Sequence, residues 1–576
     1  MHAHQNSLKK SLNNLFPILL LITVCTGILF FYKLDALSLF DVDEPRYAET
    51  ARMIVETGDW ITPRFNGEIR YDKPILFYWL IAISYKIFGI NEFAARFWSA
   101  TFATALVFFL FFLIKKFDSI RFALISSLIL STSAGIILLS RASITDMTLA
   151  FFISSSLFCF YLGYKSNEKI KKYYYLLFYV SMGLSTLTKG PVGIAIPFLV
   201  IIFFTLINGT FRSTLGELKI FYGLFTLAII ILPWNLAMFK LHGEKFINET
   251  FIRHNFTRFT GTVSGHRGSL FYFIPVILIG FFPWSILLPS SISSLITRIK
   301  RTSLTTKEFS DINFFAFIWF LVVFIFFSIS KTKLPTYITP LYPPMAILVG
   351  KLLDDILSQK NKISRSINLS VIILIISITV LSIIIIIFPA LVNKFASDSS
   401  SSFFNSPFSL NYTPVILSII LITGISFFSF SWFTNLKKFS LYCLITTLFF
   451  FYFTCIIKIG PEIGKYRQSS LKNLSEFSRN FLKKEDKLIS YSFLKPSIVF
   501  YSRHPVMKID KKDIKQLCGY LNSDITVYVI TKKSRLNLLP NTAKYYVLKE
   551  DGDFILISNQ PVLRTTIQHF KIKNDS

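Results

Sequence analysis

Long apolar runs, separated by short charged or Gly/Pro-containing segments, dominate the first 457 residues of this chain. "LFPILLLITVCTGILFFY" (Leu15–Tyr32) is representative. As a helix, a run of that length crosses a hydrocarbon core of about 30 Å. Such runs predict about thirteen spans, near residues 13–33, 94–114, 121–140, 147–164, 173–188, 191–208, 220–238, 270–289, 313–330, 339–357, 368–388, 413–432 and 440–457. With the N-terminus cytoplasmic, the inner loops collect Lys115, Lys116, Lys169, Lys172, Arg298, Lys300 and further basic residues, which is the positive-inside pattern. An odd number of crossings then puts the C-terminus outside. "KPILFYWLIAISYKIFG" (Lys73–Gly89) is apolar but too short for a full crossing, and predicts a helix lying at the interface.

From Lys458 the pattern changes. Short β-rich runs, "KLISYSF", "SIVFYS", "ITVYVIT", "KYYVLKE" and "DFILIS", alternate with polar turns, and "KKDIKQLCGYL" predicts a helix among them. The expected architecture is a polytopic α-helical membrane domain over residues 1–457, with an outer loop at 35–93, followed by a soluble α/β domain over 458–576.

Composition supports this. Of 576 residues, 52% are hydrophobic and only 16% charged, against about 25% in soluble domains. The net charge of +29 reflects topology more than ligand, because no basic and aromatic residues form a nucleic-acid module. Four of the five cysteines lie in apolar runs and none forms a CxxC pair, so neither a disulfide framework nor a cysteine metal site is indicated. No small-residue cleavage site follows the first run, which reads as a retained span.

Five polar clusters fall on the outer face: Asp41–Lys73, "RASITD" (Arg141–Asp146), "LTKG" (Leu187–Gly190), "FIRHNFTRF" (Phe251–Phe259) and "SKTKLPTY" (Ser330–Tyr337). Basic residues are scarce on that side, so their gathering calls for an anionic partner. Phosphate suits Arg forks and Lys point charges, and anionic lipid headgroups are the plainer alternative. Asp43 and Glu44 precede Pro45 at a helix start, where they serve as caps or as reacting groups. Arg46 stands at i+3 from Asp43. Asp72 and Lys73 open the interfacial helix, whose free N–H groups attract an anion. Lys189 ends a span before "GPVG" and either snorkels or binds the anion. In the last cluster Pro335 keeps the backbone extended, so that Lys331, Lys333 and Tyr337 face a cavity or form an interfacial belt. His254 lacks any HxH or HxxxH partner; with Asp72 it forms a mixed oxygen and nitrogen pair suited to zinc or a similar divalent ion.

The run "DVDEPRYAETARMIVETGDWITPRFNGEIRYDKPILFYWLIAISYKIFG" resembles the first outer loop of the lipid A aminoarabinose transferase family. These are membrane glycosyltransferases of GT-C architecture, related to protein O-mannosyltransferases. "LTKGP", "HNFTRF" and "SKTKLPTYITPLYPP" match that family's later motifs in order, so the resemblance covers residues from about 15 to 350. It implies an inverting transfer of an (amino)sugar from a polyprenyl-phosphate donor to a lipid A phosphate, at the periplasmic face of a bacterial inner membrane. It implies Asp43 as catalytic carboxylate, with Glu44 beside it as the second candidate. Arg46, Lys73 and Lys189 grip the donor phosphate, Tyr337 lines the same cavity, and Asp72 with His254 corresponds to a metal-binding pair. Aminoarabinose-specific members carry Glu where this chain has Asp72, which leaves the metal and the sugar open. A hydroxyl acceptor, as in protein O-mannosylation, is the alternative transferase reading. A lipid-phosphate transporter or flippase is the alternative from another class, but its charged spans and repeat symmetry are not seen.

Overall fold

The computed structural model describes residues 15–256, 268–301, 311–358, 364–398, 410–540 and 543–561. Each of the thirteen predicted apolar segments is helical within them. Among the described residues, seven helices are long and apolar enough to cross a membrane, and nine if each of two bent pairs counts as one. Helices fit here because lipid offers no partner for an exposed peptide group.

Two segments depart from straight spans. Ile120–Ser131 and Ala134–Ser140 meet at 64°, and Phe273–Gly280 and Trp284–Lys300 at 115°. The segment predicted as a single span at 270–289 is thus broken. Pro283 lacks the N–H that would continue the ladder, and the helix after it carries its charges at the far end.

The first outer loop holds two helices packed on one another. Asp43–Thr57 begins with acidic residues at its positive end and stops at Gly58, whose φ of 72° a side chain would resist. Leu76–Phe88 is about 20 Å long. It buries Phe77, Tyr78, Ile81 and Tyr85, leaving Ile83 and Ile87 exposed on the other face, as an interfacial helix requires. Between the two, β1 (Arg64–Phe65) and β2 (Glu68–Ile69) form a hairpin over Asn66-Gly67, both at positive φ.

The last membrane helix continues through a π-turn to Lys465, beyond the predicted boundary at 458. The C-terminal domain carries β3 (Lys487–Tyr491), β4 (Val506–Ile509), β5 (Val527–Lys532), β6 (Tyr546–Asp551) and β7 (Phe554–Ser558) in the order β4-β3-β5-β7-β6. β4, β3 and β5 are parallel, and β7 and β6 add antiparallel. Alternate residues feed two cores, Ile489, Val529 and Ile557 on one face and Leu488, Ile530 and Leu556 on the other. "SIVFYS", predicted as a strand, is instead the helix Pro496–Ser502, and the strand is the shorter "VMKI" of β4. Pro496 opens that helix and Arg503, at φ 52°, closes it. All seven of its residues are buried, so an apolar run there marks burial and not strand pairing.

Candidate active site

Asp43 and Glu44 are adjacent in sequence and have opposite environments. Glu44 is buried and its four acceptor positions are filled. Oε1 accepts from Arg96 Nε at 2.9 Å and the Ser143 N–H at 2.6 Å; Oε2 accepts from Arg96 Nη2 at 2.7 Å and the Phe40 N–H at 2.8 Å. Arg96, buried at the outer end of the Glu92–Phe117 helix, directs its remaining donors to the carbonyls of Leu34, Leu37 and Ser38. The pair therefore ties the first span, the first outer helix and the Ser143 segment together. Asp43 and Arg46 are exposed, and neither side chain makes a hydrogen bond or ion pair among the described residues.

Contacts join four of the five outer clusters. Glu44 holds Ser143, three residues before Asp146. Asp146 Oδ1 accepts from Lys189 Nζ at 2.6 Å, and that ammonium lies 4.8 Å from the Tyr337 ring centroid. Thr250, just before the fourth cluster, donates to the Tyr71 carbonyl at 3.0 Å. Lys189 and Tyr337 thus meet, with Asp146 fixing the ammonium. Lys73, half-buried, donates to the Asp72 carbonyl at 3.1 Å.

Other residues of the clusters serve the scaffold. Arg141 donates to the Lys33 carbonyl at 2.9 Å and to those of Leu29 and Phe30, capping the end of the first span. Lys333 is buried against the carbonyls of Phe327 and Ser328. Both oxygens of Asp72 are held by Arg70, Oδ1 from Nε at 2.9 Å and Oδ2 from Nη2 at 2.8 Å. Arg70 in turn lies over the rings of Tyr47 and Tyr78. A carboxylate so paired is a poor metal ligand, the side chain of His254 lies outside the described residues, and no three His, Cys, Asp or Glu converge among those described.

Asp146, Arg70 and Arg96 had no assigned role on sequence alone. Arg96 carried a signal: an arginine at the rim of an apolar run is costly without a partner.

Residues 17–247 match the family model described as "Dolichyl-phosphate-mannose-protein mannosyltransferase". An uncharacterised protein of Aquifex aeolicus is 34% identical over 370 residues, covering 64% of this chain and 67% of its own length. The "Undecaprenyl phosphate-alpha-4-amino-4-deoxy-L-arabinose arabinosyl transferase 2" of Proteus mirabilis is 33% identical over 328 residues, 56% of this chain and 57% of that protein. The crystal structure of ArnT from Cupriavidus metallidurans bound to undecaprenyl phosphate superposes with a TM-score of 0.80, covering 94% of this chain and 98% of that one at 23% identity. The chain belongs to the lipid A aminoarabinose transferase-like family. Its GT-C fold is that of a multi-pass membrane protein, with the C-terminal α/β domain included in the superposition. The sequence match spans 57% of the length of the Proteus relative and 61% of an Aeromonas hydrophila one, and the family model covers residues 17–247, all within the membrane domain.

Proposed function

We propose that this protein is a glycosyltransferase that moves a sugar from a polyprenyl-phosphate donor to a lipid A phosphate, at the periplasmic face of a bacterial inner membrane. What supports this reading is the ion pair of Lys189 with Asp146 and its approach to the Tyr337 ring, tied through Ser143 and Glu44 to the helix that carries the exposed Asp43 and Arg46. The substrate classes follow those named for the relatives, a polyprenyl-phosphate-linked aminosugar as donor.

In this reading the bond between the sugar C1 and the donor phosphate oxygen breaks, and its electron pair stays on the phosphate. Arg46, Lys73 and Lys189 stabilise the negative charge that grows there. An acceptor phosphate oxygen attacks C1 from the opposite face, which inverts the configuration. That oxygen is already ionised near neutral pH and requires no base. Asp43 then supports the positive charge developing on the sugar ring, or orients it. Glu44, its lone pairs filled, holds the helix start and takes no part in the chemistry. No step is assigned to a metal.

Lys189→Met raises the donor KM about tenfold to a hundredfold, the value of one charged hydrogen bond to phosphate. Asp146→Asn gives a smaller rise, because it leaves the charge and loosens its placement. Initial rates against donor concentration test both, and an unchanged KM in Lys189→Met removes that residue from the phosphate site.

The deciding experiment is mass spectrometry of lipid A from cells lacking the gene, complemented with wild type or with Asp43→Asn. A sugar-sized increment restored by wild type alone supports the proposal. Unchanged lipid A in all strains, with a hydroxyl acceptor modified instead, moves the function to the alternative named by the family model.

A further inference from the structure

The mechanism above gives the C-terminal domain no task, yet its contacts fall where Asp43 is set. Asp41, two residues earlier, is half-buried at the start of the Pro496–Ser502 helix. Its Oδ1 accepts from the Ser497 N–H at 2.9 Å and its Oδ2 from Ser497 Oγ at 2.5 Å. One turn further on, the Tyr501 hydroxyl accepts from the Leu39 N–H at 2.9 Å and donates to Glu92 Oε1 at 3.0 Å. Lys472 pairs with the same Glu92 oxygen at 2.6 Å. Phe500 and Tyr501 pack in one cluster with Tyr47, Ala48, Ala51 and Ile54 of the first outer helix. Farther along the loop, Asn66 exchanges two hydrogen bonds with the backbone of Val506, at 2.9 and 2.8 Å.

Residues 39–44 are therefore suspended between two anchors. Glu44 is fixed to the membrane domain through Arg96, and Asp41 to the C-terminal domain through Ser497. Asp43 lies between them with no side-chain bond of its own among the described residues, so its direction is inherited from its neighbours. Burial pushes the Asp41 carboxyl up, and the two Ser497 donors, Lys495 and Arg46 offset this. An acidic group kept at such a boundary, with both oxygens held, argues for a geometric task.

We propose that Asp41 and Ser497 are positioning residues that aim Asp43 at the transferred sugar, making the C-terminal domain a wall of the catalytic loop. This rests on the role of Asp43 given above. In the full-length protein, Asp41→Ala and Ser497→Ala each lower kcat about tenfold to a hundredfold, the effect of misplacing a reacting group by about 1 Å, while the donor KM stays within about twofold. Ser497→Thr, which keeps both donors, restores the rate. The double variant is no slower than the slower single one, because the two residues form one contact. Hydrogen exchange of the amides of residues 39–44 is faster in both alanine variants.

Wild-type kcat in Asp41→Ala overturns the proposal. So does a loss that follows the folded fraction and is equal in Ser497→Thr. A wild-type protein with no transfer activity overturns the functional reading instead. Unchanged exchange over residues 39–44 overturns the positioning contact whatever the activity.

Discussion

Asp43→Asn lowers kcat about a thousandfold and leaves the donor KM near its wild-type value. The substitution keeps the shape of the side chain and removes only its charge and basicity. Since Asp43 makes no hydrogen bond or ion pair among the described residues, the fold loses nothing, and the folded yield stays as in wild type. The loss then reports chemistry. A charge aimed at a developing cation is worth about 10²- to 10³-fold, and a general base about 10²- to 10⁴-fold. The two roles separate with acceptor acidity. A phosphate acceptor is ionised before it binds, so the loss is electrostatic and holds across pH above the phosphate ionisation. A hydroxyl acceptor must lose a proton, so the loss grows as the acceptor becomes less acidic. Steady-state rates with a series of acceptors measure this. An equal loss across the series sinks the distinction, and full activity in Asp43→Asn removes the residue from the chemistry.

How far the sequence carried these conclusions depends on which physical rule each part obeys. The helical segments were legible because a bilayer leaves the backbone few options, and the apolar runs state their lengths directly. The break after Gly280 was written as "GFFPWS", but apolar content alone reads through a proline. In the C-terminal domain, "SIVFYS" was read as a strand and "VMKI" was passed over because a short buried run has no period to betray it, whereas β4 places a lysine and a methionine outward. Residue types at the site were legible, and partners were not. Glu44 and Arg96 are 52 positions apart, and Asp146 and Lys189 43 apart, so only the fold brings them together. Neighbouring helix positions point about 100° apart. That is why Glu44 turns inward to a filled site while Asp43 turns outward, a difference no composition rule separates. The "NG" of β1 and β2 was a hairpin signal in plain view; its tie to Val506 needed the second domain.

Arg96→Leu leaves little folded protein in the membrane. The guanidinium is buried, and each of its five N–H groups has an acceptor: two on Glu44 and three on the carbonyls of Leu34, Leu37 and Ser38. Leucine fills much of the volume but strands the carboxylate and those carbonyls together. Removing one partner of a buried pair costs about 3–5 kcal/mol, a large share of the roughly 5–15 kcal/mol that holds a domain folded. Glu44→Gln fares little better, because its amide turns a donor toward Arg96 and toward the N–H of either Phe40 or Ser143. Replacing both residues with leucine does not rescue the fold, since the backbone groups they satisfy remain unpaired. Folded yield and thermal midpoint in detergent measure the effect, with kcat per folded molecule recorded beside them. The pair's structural role predicts that yield and midpoint collapse while Arg96→Leu molecules that do fold keep a measurable turnover, in contrast to Asp43→Asn, which folds and turns over about a thousandfold more slowly. Wild-type yield and midpoint in Arg96→Leu, with activity lost, would instead move the Glu44–Arg96 pair from the scaffold into the reaction.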